Sequence, residues 1–134
     1  MANFDPKKHF DEKAKRFKDD PVRAACGSDH LSNECMTRVQ KQAIHSAIRA
    51  IGGRGGFSEK AVLDFGCGSG RWAEFFTKLT PTYFGVDISD EMIEMCRTYH
   101  PSLHFEPMDG LRIPADSQSF DFVFAVAVLH HNEL

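Results

Sequence analysis

The run Asp64-Phe65-Gly66-Cys67-Gly68-Ser69-Gly70 constrains this chain more than any other part of it. It follows a short β-rich segment, Ala61-Val62-Leu63-Asp64-Phe65, and precedes Trp72, Phe75, Phe76 and Leu79 at the i, i+3, i+4, i+7 spacing of a helix face. Strand, glycine turn and helix make the first half of a βαβ unit. Glycine at alternate positions permits positive φ and lets a ligand lie against bare backbone, while N–H groups at the helix start favour anionic ligand groups. The spacing Gly-x-Gly-x-Gly differs from the Gly-x-Gly-x-x-Gly of dinucleotide-binding turns, and Asp64 stands just ahead of it. A pyrophosphate gains nothing from that carboxylate, whereas a ligand with a positively charged amino-acid end does.

The rest of the chain extends the pattern. Tyr83-Phe84-Gly85-Val86-Asp87 reads as a second strand, followed by Ser89 as N-cap, Asp90 and Glu91 in the first turn, and Met92, Ile93, Cys96 and Tyr99 on the buried face of a helix. Leu103-His104-Phe105 is a third strand. Phe120 to Leu129, almost continuously apolar, reads as a fourth strand covered on both faces. Strands alternating with helices predict a parallel, doubly wound α/β sheet. Ahead of it, Phe10, Ala14 and Phe17 predict one amphipathic helix. Met36, Val39, Ala43, Ala47, Ile48 and Ile51 predict another, the two being separated by Pro21 and by Cys26-Gly27-Ser28-Asp29. Gly52-Gly53-Arg54-Gly55-Gly56 then supplies a C-cap and a joint, which divides the chain into a helical leader or lid, 1–56, and a sheet-forming part, 57–134.

Composition excludes several classes. No apolar stretch approaches the ~18 residues that span a bilayer, and the start lacks a signal-peptide core, so neither a membrane nor an exported protein is expected. Cys26, Cys35, Cys67 and Cys96 form no Cys-x-x-Cys pair, which argues against structural zinc and for reduced thiols in the cytoplasm. Residues 1–60 carry 12 Lys and Arg against 8 Asp and Glu, and residues 61–134 carry 4 against 11. The acidic second part and the net charge of −3 give no global field for nucleic acid, which is not the expected partner. The basic residues between 7 and 23 are interleaved with acids, as on the solvated face of a helix.

Three acids then outline a ligand. Asp87 ends the second strand, where a carboxylate can accept from both hydroxyls of a ribose. Asp109, in Met108-Asp109-Gly110 after the third strand, can accept from an exocyclic amine such as adenine's, although Asp in such a loop also caps turns. With Asp64 they sketch a nucleoside flanked by an amino acid.

In order and spacing, Val62–Gly70, Gly85-Val86-Asp87-Ile88-Ser89, Met108-Asp109-Gly110 and Phe120…His130-His131 resemble the motifs of class I S-adenosylmethionine-dependent methyltransferases, closest to the small-molecule group. The resemblance implies a Rossmann-like sheet of order 3-2-1-4 and S-adenosyl-L-methionine as cofactor. It implies that Asp64 and the backbone of Gly66 and Gly68, around Cys67, hold the methionine end. Asp87 would hold the ribose hydroxyls and Ile88 one face of the adenine, with Met108 also among the cofactor-binding residues. Asp109 would take the adenine amine, with the backbone of Gly110 or Leu111 beside it. Ala125 would offer its carbonyl to the cofactor's ammonium. His130 and His131, after the fourth strand, are candidate bases for a small-molecule methyl acceptor. Cys67 also reads as a small side chain packed under the loop, and Arg71 and Trp72 as helix surface and core.

The family's sheet has seven strands, and four are legible. Truncation, or association through the exposed edge of the fourth strand into a homo-oligomer, is therefore expected. A catalytically incompetent binding or oligomerisation module is the alternative reading, and a tRNA-directed enzyme is a further one. A nicotinamide-dependent oxidoreductase is disfavoured by the glycine spacing and by Asp64.

Overall fold

A computed structural model describes residues 4–26, 29–51 and 56–129. Three helices come first: α1 (Pro6–Arg16), α2 (Pro21–Cys26) and α3 (His30–Ile51). Then β1 (Val62–Phe65), α4 (Ala73–Thr77), β2 (Tyr83–Asp87), α5 (Asp90–Tyr99), β3 (His104–Pro107) and β4 (Phe122–Phe124) build one sheet of order β3-β2-β1-β4, with every pairing parallel. This is the Rossmann-like order that the resemblance implied.

Local chemistry accounts for the element starts. Asp5 caps α1 by accepting from Lys8 N, and Pro6 takes the first helical position, where its missing N–H costs nothing. Ser89 caps α5 by accepting from Met92 N at 3.1 Å, as expected. The core lies between α4, α5 and one face of the sheet. Phe76 is fully buried there, with its ring 4.4 Å from that of Phe124 and 6.2 Å from that of Tyr83, and Ile93, Cys96 and Phe105 complete the cluster. A smaller cluster of Ala14, Ala24, Met92 and Met95 fastens α1 and α2 to α5.

Four expectations are corrected. The fourth strand is Phe122–Phe124 rather than Phe120–Leu129, and it is not covered on both faces, since Val123 is 56 % exposed. The Asp121 carboxylate fixes its start by accepting from Ala61 N and Lys60 Nζ, and beyond Phe124 the backbone leaves the ladder, reaching φ 59° at Ala127. On α3 the inward face is Asn33, Thr37, Gln40, Ile44 and Ile48, while Val39, Ala43, Ala47 and Ile51 of the predicted stripe are exposed. Tyr99, expected on the buried face of α5, is exposed and donates from its hydroxyl to Lys18 O. α2, within the stretch read as a separator, is an additional helix. Among the described residues, no helix is long and apolar enough to cross a membrane.

Candidate functional site

The glycine loop sits at the carboxyl edge of the sheet, where open α/β sheets place ligands. Gly66, Gly68 and Gly70 all have positive φ, at 74°, 54° and 79°. A Cβ on Gly66 would come within 2.4 Å of the Val128 side chain, so glycine is required there by both conformation and space. The N–H groups of Gly66 and Cys67 both donate to Val86 O, and Gly68 N donates to Asp87 Oδ2 at 2.8 Å. These three loop donors are therefore turned into the fold.

A cavity of about 370 Å³ opens beside the loop, within the ~300–1,000 Å³ range of small-molecule sites. From the predicted set, Gly66, Cys67, Gly68, Asp87, Ile88, Met108 and Gly110 line it. Asp87 is 8 % exposed, and its other oxygen accepts from Ser89 N at 3.0 Å. Burial pushes its carboxyl up, against the lowering effect of the N–H bonds from Ser89 and Gly68. Ser89 in turn donates from Oγ to Asp11 Oδ1 of α1 at 2.6 Å. A hydrogen-bonded line thus runs Asp11–Ser89–Asp87–Gly68, from the leader helix to the loop. Cys67 packs under the loop, its thiol pushed well up by burial, and Cys96 donates to Gly68 O at 3.0 Å.

Three predicted contacts fall elsewhere. Asp64 does not line the cavity, because strand alternation turns it toward α4, where it is buried and accepts from the Tyr83 hydroxyl. Asp109 is exposed and accepts from Leu111 N at 2.8 Å and Arg112 N at 2.7 Å, which holds its carboxyl below the usual range and makes it the cap of a turn. Ala125 also lies off the cavity, and the turn after the short β4 brings Val126, Ala127 and Val128 there instead. His130 and His131 lie outside the described residues.

Burial raises the Asp64 carboxyl to about 7, and the Tyr83 hydrogen bond offsets only part of that shift. Because the folded value exceeds the ordinary 3.8, the folded state holds the proton more tightly. The stability from this group is full below about pH 4 and is lost as pH rises through about 7. Asp64→Asn keeps an acceptor for Tyr83 without the charge. The melting temperature of the parent, relative to this variant, should fall from about pH 4 to about pH 7 and level off above it; a constant difference would refute the assignment.

The leader supplies further lining residues, of which the sequence pattern pointed only to Phe10, as part of a lid. Pro6, His9, Phe10 and Lys13 of α1 and Met36 and Gln40 of α3 wall the cavity, joined by Arg71 and Trp72. Arg71 is no surface residue: it donates to Cys26 Sγ and Gln40 Oε1, with its guanidinium 4.5 Å from the Trp72 ring. Its one local signal was a cation at the end of a glycine turn.

The fold and the crevice together define a Rossmann-like parallel sheet with a cavity at its carboxyl edge, capped by helices, and comparison with known proteins narrows the class. A sequence model of the methyltransferase domain matches residues 62–134. Over 71 residues the chain is 37% identical to the tRNA (carboxymethyluridine(34)-5-O)-methyltransferase of Saccharomyces cerevisiae, covering 52% of this chain and 24% of that protein. Over 107 residues it is 36% identical to phthiotriol/phenolphthiotriol dimycocerosates methyltransferase 1 of Mycobacterium ulcerans, covering 77% and 36%. The structure of magnesium protoporphyrin IX methyltransferase from Synechocystis PCC 6803 with bound SAM has a TM-score of 0.67 over 99% of this chain and 67% of that one, at 19% identity, which is a likeness of fold. The chain spans between about a quarter and a third of the length of the two curated relatives. It belongs to the class I S-adenosylmethionine-dependent methyltransferase family.

Proposed function

We propose that the crevice binds S-adenosylmethionine, and that this chain provides the cofactor-holding part of an enzyme that methylates a small molecule. The observation that carries the reading is Asp87: a nearly buried carboxylate at the tip of β2, lining the cavity while fixing the glycine loop. Each of its oxygens accepts one N–H from the protein and retains a lone pair for a ribose hydroxyl. Ile88 and Met108 provide apolar surface for the base, and Gly110 leaves its edge open. The backbone of Gly66 to Gly68, with Val126 to Val128, bounds the methionine end, and Asp64 acts there only through space. When bound, the cofactor supplies an electrophilic methyl group on a sulfonium. The chain's contribution is to position it and exclude water, with a base needed only for an acceptor that must lose a proton.

Calorimetry with S-adenosylhomocysteine tests the reading. Saturable binding is expected, and absence of heat at millimolar ligand would sink it. The yeast relative favours a second reading, a transfer-RNA acceptor, which predicts salt-dependent tRNA retention in a filter assay. The outer edge of β4 has no partner among the described residues, and in this reading a further strand or a second copy adds there.

A further inference from the structure

Two cations converge on one short stretch of the crevice wall. Lys13 of α1 donates from Nζ to Ala25 O at 3.2 Å, and Arg71, beyond the glycine loop, donates to the adjacent Cys26 Sγ at 2.6 Å. Both line the cavity, and Phe10, Met36 and Trp72 line it with them. Among the described residues, neither cation has a carboxylate within ion-pair distance. Asp64 feels the Arg71 charge but is bonded to Tyr83, and Asp87, the one acid among the described lining residues, holds the loop and Ser89. Arg71 Nε is buried without a hydrogen-bond partner.

Part-buried cations that lack a carboxylate partner are unfavourable, and burial lowers the Lys13 ammonium below its ordinary value, with Cys26 opposing only part of that effect. An oxyanion placed between them would regain charge-assisted hydrogen bonds in a site partly screened from water. The surrounding wall is apolar and aromatic, so the rest of such a ligand is a hydrocarbon or ring body.

We propose that Lys13 and Arg71 form the seat for an anionic group of the methyl acceptor, making that acceptor an amphipathic acid whose apolar body lies along Phe10, Met36 and Trp72. The proposal rests on the cofactor reading and narrows its acceptor. The same carboxylate chemistry is present in the cofactor's own amino-acid end, so the test separates the two sources.

Trp72 is the single tryptophan of the sequence and lines the cavity, so its fluorescence reports occupancy without a label. The full chain is first titrated with S-adenosylhomocysteine and then, at saturation, with octanoate or octanol. Octanoate is expected to bind at least about tenfold more tightly than octanol. Lys13→Met should remove most of that preference, and Lys13→Arg should restore it. Equal binding of acid and alcohol, or an undiminished preference in Lys13→Met, would overturn the seat. So would a Lys13→Met protein that binds S-adenosylhomocysteine weakly and methylthioadenosine normally, because the seat then belongs to the cofactor. If S-adenosylhomocysteine gives no response, the cofactor reading fails by itself, and the comparison of octanoate with octanol on the free protein still decides the seat.

Discussion

Truncating Phe76 to Ala lowers the unfolding free energy by about 3–5 kcal/mol, the cost of removing a buried aromatic ring and leaving its cavity. The ring is fully buried and packs between Tyr83, Phe122 and Phe124, so it joins α4 to β2 and to β4 at once. α4 has five residues and little helical stability of its own, which leaves no local structure to absorb the loss. Against a total of roughly 5–15 kcal/mol for a typical domain, the variant should melt roughly 10 °C or more below the parent. Calorimetric scanning measures this. Leu111→Ala, at a residue 91 % exposed, is the control and should change stability by no more than about 0.5 kcal/mol. A Phe76→Ala protein that melts with the parent would mean that α4 does not bear on the core as described.

For Asp87→Ala the expected loss is in binding. Removing the carboxylate proposed to accept two ribose hydroxyls should forfeit about 2–3 kcal/mol, or roughly thirty- to 150-fold in S-adenosylhomocysteine affinity. Part of that loss reflects the loop, because Gly68 N also loses its acceptor. Asp87→Asn separates the contributions: its amide oxygen can still accept from Gly68, while its NH2 cannot accept from a hydroxyl. Titration calorimetry on both variants, with the exposed Asp116→Ala as control, reads the two parts. Parent-like affinity in Asp87→Ala would remove the central residue of the proposed function.

What the sequence made legible was local. The glycine loop's positive φ values, the Ser89 cap and the strands β1 and β2 follow from short-range patterns: a strand's period, an N-cap side chain, a turn that only glycine closes. The order of the sheet followed from the resemblance, not from any periodicity. Long-range packing decided the rest. Spacing alone places Ile48 of α3 correctly in the core, yet the helix is turned so that Gln40 meets Arg71 while Val39, Ala43, Ala47 and Ile51 face solvent. β4 was overread because an apolar run does not show where its ladder stops. Asp64 and Asp109 were placed at the ligand by motif position, which fixes the backbone but not the direction of the side chain: strand alternation turned one away, and the backbone N–H groups of a turn captured the other. Lys13 and His9 gave no local sign of the cavity, since one turn of helix packing on α5 brings them there.

The hydrogen-bonded line from Asp11 through Ser89 and Asp87 to Gly68 makes the leader helix and the glycine loop thermodynamically reciprocal. By linkage, a ligand that tightens the loop through Asp87 would tighten the docking of α1 by the same factor, and the reverse would hold equally. The path from the crevice to α1 is four residues long, and its Ser89–Asp11 bond joins positions 78 residues apart in sequence. Lys7, bridging Ile88 O and Asp90 from the same helix, lies in parallel with that line, so the coupling does not hang on one bond.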